Sequence, residues 1–176
     1  LASFLKSLSP AQKKNLGQVQ WLVDTPARLT DYAALAKKRR LALQVNLEID
    51  IGLHRGGMVP GDELQAALDI LAADKYLTLS GMMGYEPHLT KIPKLGGWRR
   101  RAQKGAADLY AAALAQARDC FGAAYVKNMV RNTAGSPTFG LYKDTKIANE
   151  LAAGSALVKP SDFDIPILKD FQDAAF

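Results

Sequence analysis

Between residues 43 and 51 the chain alternates: Leu43, Val45, Leu47, Ile49 and Ile51 are aliphatic, with Gln44, Asn46, Glu48 and Asp50 between them. Successive side chains of a strand point to opposite faces, so this spacing predicts a strand with one aliphatic and one polar face. Shorter apolar runs predict strands at 19–23, 77–85, 125–131 and 150–158. The segments between them carry helical spacing. Residues 1–16 read as helical, with Ser9-Pro10 offering a second helical start. Residues 27–40 follow, with Leu29, Tyr32, Ala33 and Ala36 on one face and basic residues in the last turn, where the helix dipole favours them. After Val59-Pro60-Gly61-Asp62, residues Leu64, Ala67, Leu68 and Leu71 form an i, i+3, i+4, i+7 stripe. A long alanine-rich helix at 99–121 presents Ala106, Tyr110, Ala113, Ala117 and Cys120 on one side, and Gly122 suits its C-terminal cap.

The expected order is a helix, four β-α units and a fifth strand. Helices on both sides of each strand in sequence favour a parallel sheet, either the later part of a (β/α)8 barrel or a small open doubly wound sheet. In a barrel the aliphatic faces meet the helices and the polar faces look into the lumen, where a ligand has more use for them than packing does.

Composition narrows the class. The 176 residues are enough for one domain with a real core, and 48% hydrophobic against 23% charged residues is globular. No apolar run approaches the roughly 20 residues that a membrane-crossing helix needs, so no membrane partner is expected. The single cysteine, Cys120, excludes an internal disulfide framework and fits a reducing, cytoplasmic setting. Two histidines leave little for a His/Cys metal centre, and no metal ligand is assigned. The net charge of +6 is concentrated in Lys37-Lys38-Arg39-Arg40 and in Arg99-Arg100-Arg101. These read as solvated helix ends; no zinc-finger, RNP or helix-turn-helix pattern supports nucleic-acid binding.

The candidate chemistry lies where the predicted strands end, which is where parallel α/β folds bind ligands. Gly52-Leu53-His54-Arg55-Gly56-Gly57 sets a forked cation among three glycines, suited to a phenolate, carboxylate or phosphate. The plain alternative is a tight turn in which Arg55 pairs with a carboxylate such as Asp50. In Gly81-Met82-Met83-Gly84-Tyr85-Glu86-Pro87-His88, Tyr85 can stack or donate a hydrogen bond and His88 can move a proton near neutral pH. A core tyrosine and a surface histidine are the alternative. Thr133, Ala134, Gly135, Ser136, Pro137 and Thr138 form a small-residue loop with hydroxyls and free N–H groups, a form suited to phosphate. Gly154-Ser155 in the last predicted strand adds to it.

Taken in order, VNLEIDIGLHRGGM, GMMGYEPHL, NTAGSPTF and NELAAGSALVKPSDFD resemble the fold-type III pyridoxal-phosphate enzymes over most of 19–164, and within them the D-threonine aldolase and D-serine dehydratase group, relatives of the alanine racemase N-terminal barrel. The resemblance implies the later five strands of a (β/α)8 TIM-type barrel at 1–158, with 159–176 a tail leading toward a C-terminal β-domain. It implies pyridoxal 5'-phosphate as cofactor, Arg55 at its phenolic oxygen and Tyr85 near its pyridine nitrogen. Thr133, Gly135, Ser136, Gly154 and Ser155 fall at the phosphate, and Ala156 stands where the family has an aromatic residue. His88 is the catalytic candidate. The family's Schiff-base lysine lies on the first barrel strand, which these motifs do not match. Its divalent metal, where present, is held by the C-terminal domain. The implied activity is aldol cleavage or dehydration of a β-hydroxy D-amino acid, with racemisation or non-catalytic cofactor binding as alternatives, in a longer, homodimeric protein.

Overall fold

The computed structural model describes residues 1–93, 95–158 and 164. The expected tail therefore falls, apart from Asp164, outside the described residues. The N-terminal region is two short helices, α1 (Ala2–Ser7) and α2 (Pro10–Lys14). They separate at Ser9, whose Oγ accepts from the Gln12 N–H while the Gln12 side chain accepts from the Ser9 N–H, a reciprocal cap followed by proline at the first helical position. Strand β1 (Gln20–Val23) leads to α3 (Pro26–Arg39), capped by Thr25, whose Oγ1 accepts from the Arg28 N–H. Then come β2 (Leu43–Ile49), α4 (Asp62–Ala73), β3 (Leu77–Gly84), α5 (Trp98–Phe121), α6 (Ala123–Asn128), β4 (Val130–Thr133) and β5 (Glu150–Leu151).

All five strands are parallel and lie in sequence order, β1-β2-β3-β4-β5. A doubly wound sheet reverses its order at a switch point, whereas sequential order is the arc of a barrel. The helices make the same distinction, because α3 packs on α4 and α4 on α5, side by side over the sheet. Leu43, Val45, Leu47 and Ile49 are at most 1% exposed and join Leu29, Ala36, Leu64, Leu68 and Tyr110 in one core. The polar residues of β2 are half-buried on the open face, where the Gln44 amide reaches the Gly17 carbonyl and the Asn46 amide reaches the Gln20 side chain.

Three expectations fail locally. Residues 125–131 are not one strand: Gly122, at φ 89, ends α5 and opens α6, and pairing begins only at Val130. Tyr125 owes its place to tertiary contacts, donating from its hydroxyl to the Leu79 carbonyl and packing its ring against Phe121. The last strand is not 150–158 but Glu150–Leu151, followed by a 3-10 turn at Ser155–Leu157. The fourth crossover carries no α-helix. Residues 134–149 join β4 to β5 through a single 3-10 turn, Phe139–Leu141.

Two side chains hold this region. The Tyr110 hydroxyl, 1% exposed as a residue, shares its one proton between the carbonyls of Met82 (2.9 Å) and Asn132 (3.0 Å), tying β3 to β4 where their ladder ends. Burial pushes its phenol far above the usual range, so it remains a donor. Arg131 spreads its guanidinium over the carbonyls of Val126 and Lys127 on one side and of Thr145 and Ile147 on the other.

Candidate functional site

The turn after β2 is built on Asp50. One carboxylate oxygen accepts from the N–H groups of Gly52 (2.9 Å) and His54 (3.0 Å), and the other meets the His54 ring at 2.7 Å. Burial alone would raise this carboxyl; the amides of His54 and Gly52 and the His54 ring outweigh it and hold the group below the usual aspartate range. The chain then folds back on the strand, with the Met58 N–H donating to the Glu48 carbonyl and the Asp50 N–H to the Met58 carbonyl. This return projects Arg55 across the strand ends. Its Nη2 donates to Glu48 Oε1 at 3.1 Å, and its guanidinium lies 4.9 Å from the centre of the Tyr85 ring. The carboxylate partner is thus Glu48 and not Asp50, because the Asp50 oxygens are already engaged by their own turn.

Beyond β3, the Tyr85 ring packs on Gly135 so closely that a Cβ there would lie 2.2 Å from Tyr85 Cε2. Beyond β4, Ser136 Oγ accepts from the Ser155 hydroxyl (3.1 Å) and from the Ala156 N–H (3.0 Å). Four separate turns so converge on one cleft of about 290 Å³, lined by Arg55, Met83, Tyr85 and the small residues Ala134, Gly135, Ser136, Ala152, Gly154 and Ser155. That is close to the lower end of small-molecule sites, roughly 300–1,000 Å³. A larger cavity, about 540 Å³, lies at the opposite end of the strands against α6 and lacks titratable groups other than Tyr125. It is the open face of the sheet rather than the strand-end site.

Two predicted residues stand apart from the cleft. Thr133, 1% exposed, lies beneath it; its hydroxyl donates to Glu86 Oε2 at 3.0 Å and is 2.9 Å from the Tyr142 hydroxyl. His88 does not line the cleft. It is half-buried beside the Gly52 turn, its Nε2 3.5 Å from where a Gly52 Cβ would sit, and its Nδ1 is buried without a hydrogen-bond partner. Burial, with the neighbouring His54, holds its imidazole below 6.5 despite the opposing carboxylates of Glu86 and Asp50. The unfolded chain therefore binds more protons than the folded one just below pH 6.5, and stability falls as the pH drops through that window toward the folded pKa. Urea midpoints between pH 7.5 and 5 are expected to decline in the wild type and to decline less in His88→Gln; equal slopes would contradict this.

Two charged positions beside the candidate site were not singled out in the sequence. Glu48 lies on the polar face of β2, where the alternation alone could have marked it as a neighbour of the strand end. Glu86 is 0% exposed, with Oε2 accepting from Thr133 and from the Ala134 N–H (3.3 Å) and Oε1 buried without a partner. Burial and its nearby charge push the Tyr142 phenol up to about 12. Among the described residues, no group of three or more His, Cys, Asp and Glu is arranged to hold a metal, and no helix is long and apolar enough to cross a membrane.

A sequence profile described as "Alanine racemase, N-terminal domain" matches residues 4–162. No curated protein sequence matches the chain. D-threonine aldolase from Filomicrobium marinum superposes with a TM-score of 0.67 at 20% identity, over 96% of this chain and 44% of that one. Alanine racemase from Corynebacterium glutamicum gives 0.63 at 21% identity, over 83% and 38%. D-threo-3-hydroxyaspartate dehydratase from Delftia sp. HT23 gives 0.62 at 22%, over 96% and 44%. The chain spans less than half the length of each of these structures, and at these identities the likeness is one of fold.

Proposed function

The chain belongs to the alanine racemase N-terminal domain family, the barrel family of the fold-type III pyridoxal-phosphate enzymes, and from that premise we propose that it forms the cofactor-facing later part of a barrel in an enzyme acting on a β-hydroxy D-amino acid by aldol cleavage or dehydration. The observation that carries this reading is the convergence of an arginine, a tyrosine and two hydroxyl-bearing small-residue turns from four strand ends on one cleft.

The residues present fit pyridoxal phosphate in two respects. One side of the cleft offers a fixed cation and an aromatic face, Arg55 on Tyr85. The other offers Ser136, Gly154 and Ser155, and a Cβ on Gly154 would meet nothing within 4 Å, which leaves that wall open to an anionic group. When bound, the cofactor supplies an electron sink for a carbanion at the substrate's α-carbon. The chain's part is to hold and tune it. Arg55, paired with Glu48, would oppose the phenolic oxygen with its positive charge. Tyr85 would face the ring on its pyridine side, and the Ser136 and Ser155 side of the cleft would hold the phosphate. Proton transfer is not assigned to His88 in this reading, because His88 is not part of the cleft lining.

Among the described residues that line the cleft there is no lysine. A second reading, reversible cofactor binding without catalysis by this chain, is tested beside the first. One titration bears on both. Arg55→Ala is expected to raise the dissociation constant for pyridoxal phosphate about 10- to 100-fold, the scale of a charged hydrogen bond of roughly 1.5–3 kcal/mol. Absorbance or quenching of Trp21 and Trp98 fluorescence would follow it, and an unchanged constant would remove Arg55 from the site. Borohydride added at saturation is expected to fix no stoichiometric cofactor on this chain; a single labelled lysine would place the Schiff-base residue within it.

A further inference from the structure

We propose that Glu86 is the positioning residue for the phosphate-facing loop, acting from behind it; the inference rests on the cofactor reading above. The β3–β4 ladder ends at Met83 and Asn132. Past that point the strand ends are held by side chains, first the Tyr110 hydroxyl and then the Glu86 carboxylate. Glu86 Oε2 takes the only proton of the Thr133 hydroxyl, so Thr133 must accept from its other neighbour, Tyr142, whose high pKa keeps it a donor. The result is a buried cluster in which the Glu86 carboxylate lies against both the Thr133 and the Tyr142 hydroxyls and also accepts the Ala134 N–H.

That last bond falls where the backbone is least comfortable. Ala134 sits at φ 64, a left-handed conformation that a side-chain-bearing residue adopts only when its surroundings impose it. The conformation turns the chain so that Gly135 meets the Tyr85 ring and Ser136 points to Ser155 and the Ala156 N–H. Without the Glu86 acceptor, the Ala134 N–H would be a buried donor with nothing to bind and the Thr133 hydroxyl would have to turn to Tyr142, and the loop would relax. Glu86 Oε1 is buried and unbonded, an unfavourable site for a carboxylate. Core packing alone does not account for it, and a fixed acceptor at Oε2 does.

A loop held for phosphate affects only ligands that carry phosphate. The full chain is titrated with pyridoxal phosphate and with pyridoxal, which lacks the phosphate. Glu86→Leu is expected to weaken pyridoxal phosphate at least tenfold and to leave pyridoxal within about twofold of wild type. Glu86→Gln keeps a carbonyl acceptor for both donors and is expected to restore pyridoxal phosphate affinity to within about threefold. Thr133→Val removes one of the two bonds and keeps the shape of the side chain, so it decides the matter if Glu86→Leu does not fold; a three- to tenfold loss confined to the phosphorylated ligand is expected. Equal losses for both ligands, or no loss for either, in the folded variants would overturn the role of Glu86. A wild type with no preference for the phosphorylated ligand would instead overturn the cofactor reading itself.

Discussion

Gly57→Ala is expected to lower the free energy of unfolding by about 2–4 kcal/mol, the sum of a strained backbone and an overpacked contact, and to weaken pyridoxal phosphate binding with it. Gly57 has φ 95, where L side chains are rarely found, and a Cβ would lie 2.8 Å from the Asp50 N, 2.9 Å from the Ile49 C and 3.0 Å from the Glu48 O. These are backbone atoms of the strand end itself and cannot swing aside. Relief would require breaking the return bonds between Met58 and residues 48 and 50, which aim Arg55 at Tyr85. Urea denaturation followed by far-ultraviolet circular dichroism gives the first effect and ligand titration the second. An alanine variant with the wild-type midpoint would mean that this turn is not built as described.

The second large effect is expected at Gly135→Ala, and it separates function from stability. Here the obstacle is a ring: a Cβ would come within 2.2 Å of Tyr85 Cε2 and 3.0 Å of Cδ2. Tyr85 is half-buried, so its ring can yield toward the open cleft. Stability is expected to fall by only about 1–2 kcal/mol, toward the lower part of the overpacking range. Binding is expected to fall more than tenfold, because the displaced ring occupies the cleft and loses its place under Arg55. A Gly135→Ala variant that binds as well as wild type would show that Tyr85 has another way to move.

The sequence carried the frame of this molecule well and its joints poorly. Period-two alternation in residues 43–51 marked β2 correctly because one face is packed wholly against helices, so every second position had to be aliphatic. The stripe Leu64, Ala67, Leu68 and Leu71 is entirely buried for the same reason. By contrast, Tyr125 and Val126 are β-prone residues in a six-residue helix; what places them is a hydroxyl reaching Leu79, which lies 46 residues earlier in the chain. Residues 150–158 offered a run of small side chains without alternation, and only Glu150 and Leu151 pair. Within the site, cleft-lining glycines and hydroxyls were legible because they stand at strand ends. Glu86 was not, since an acid before a proline reads as surface and nothing local says that its carboxylate is enclosed.

The guanidinium of Arg131 gives the β4–β5 connection a mechanical character of its own. Seated in β4 itself, it grips the carbonyls of Val126 and Lys127 in α6 and, across the connection, those of Thr145 and Ile147, so the far end of the segment 134–149 is fastened back to the strand that begins it. Excursions of Ser136 or Phe139 are then confined between fixed anchors, like a strap hung from a single hook. Amide exchange in this stretch is expected to be fastest at its middle and slowest at its ends, and a protease nick near Lys143 should leave the two pieces clasped together until denaturant is added.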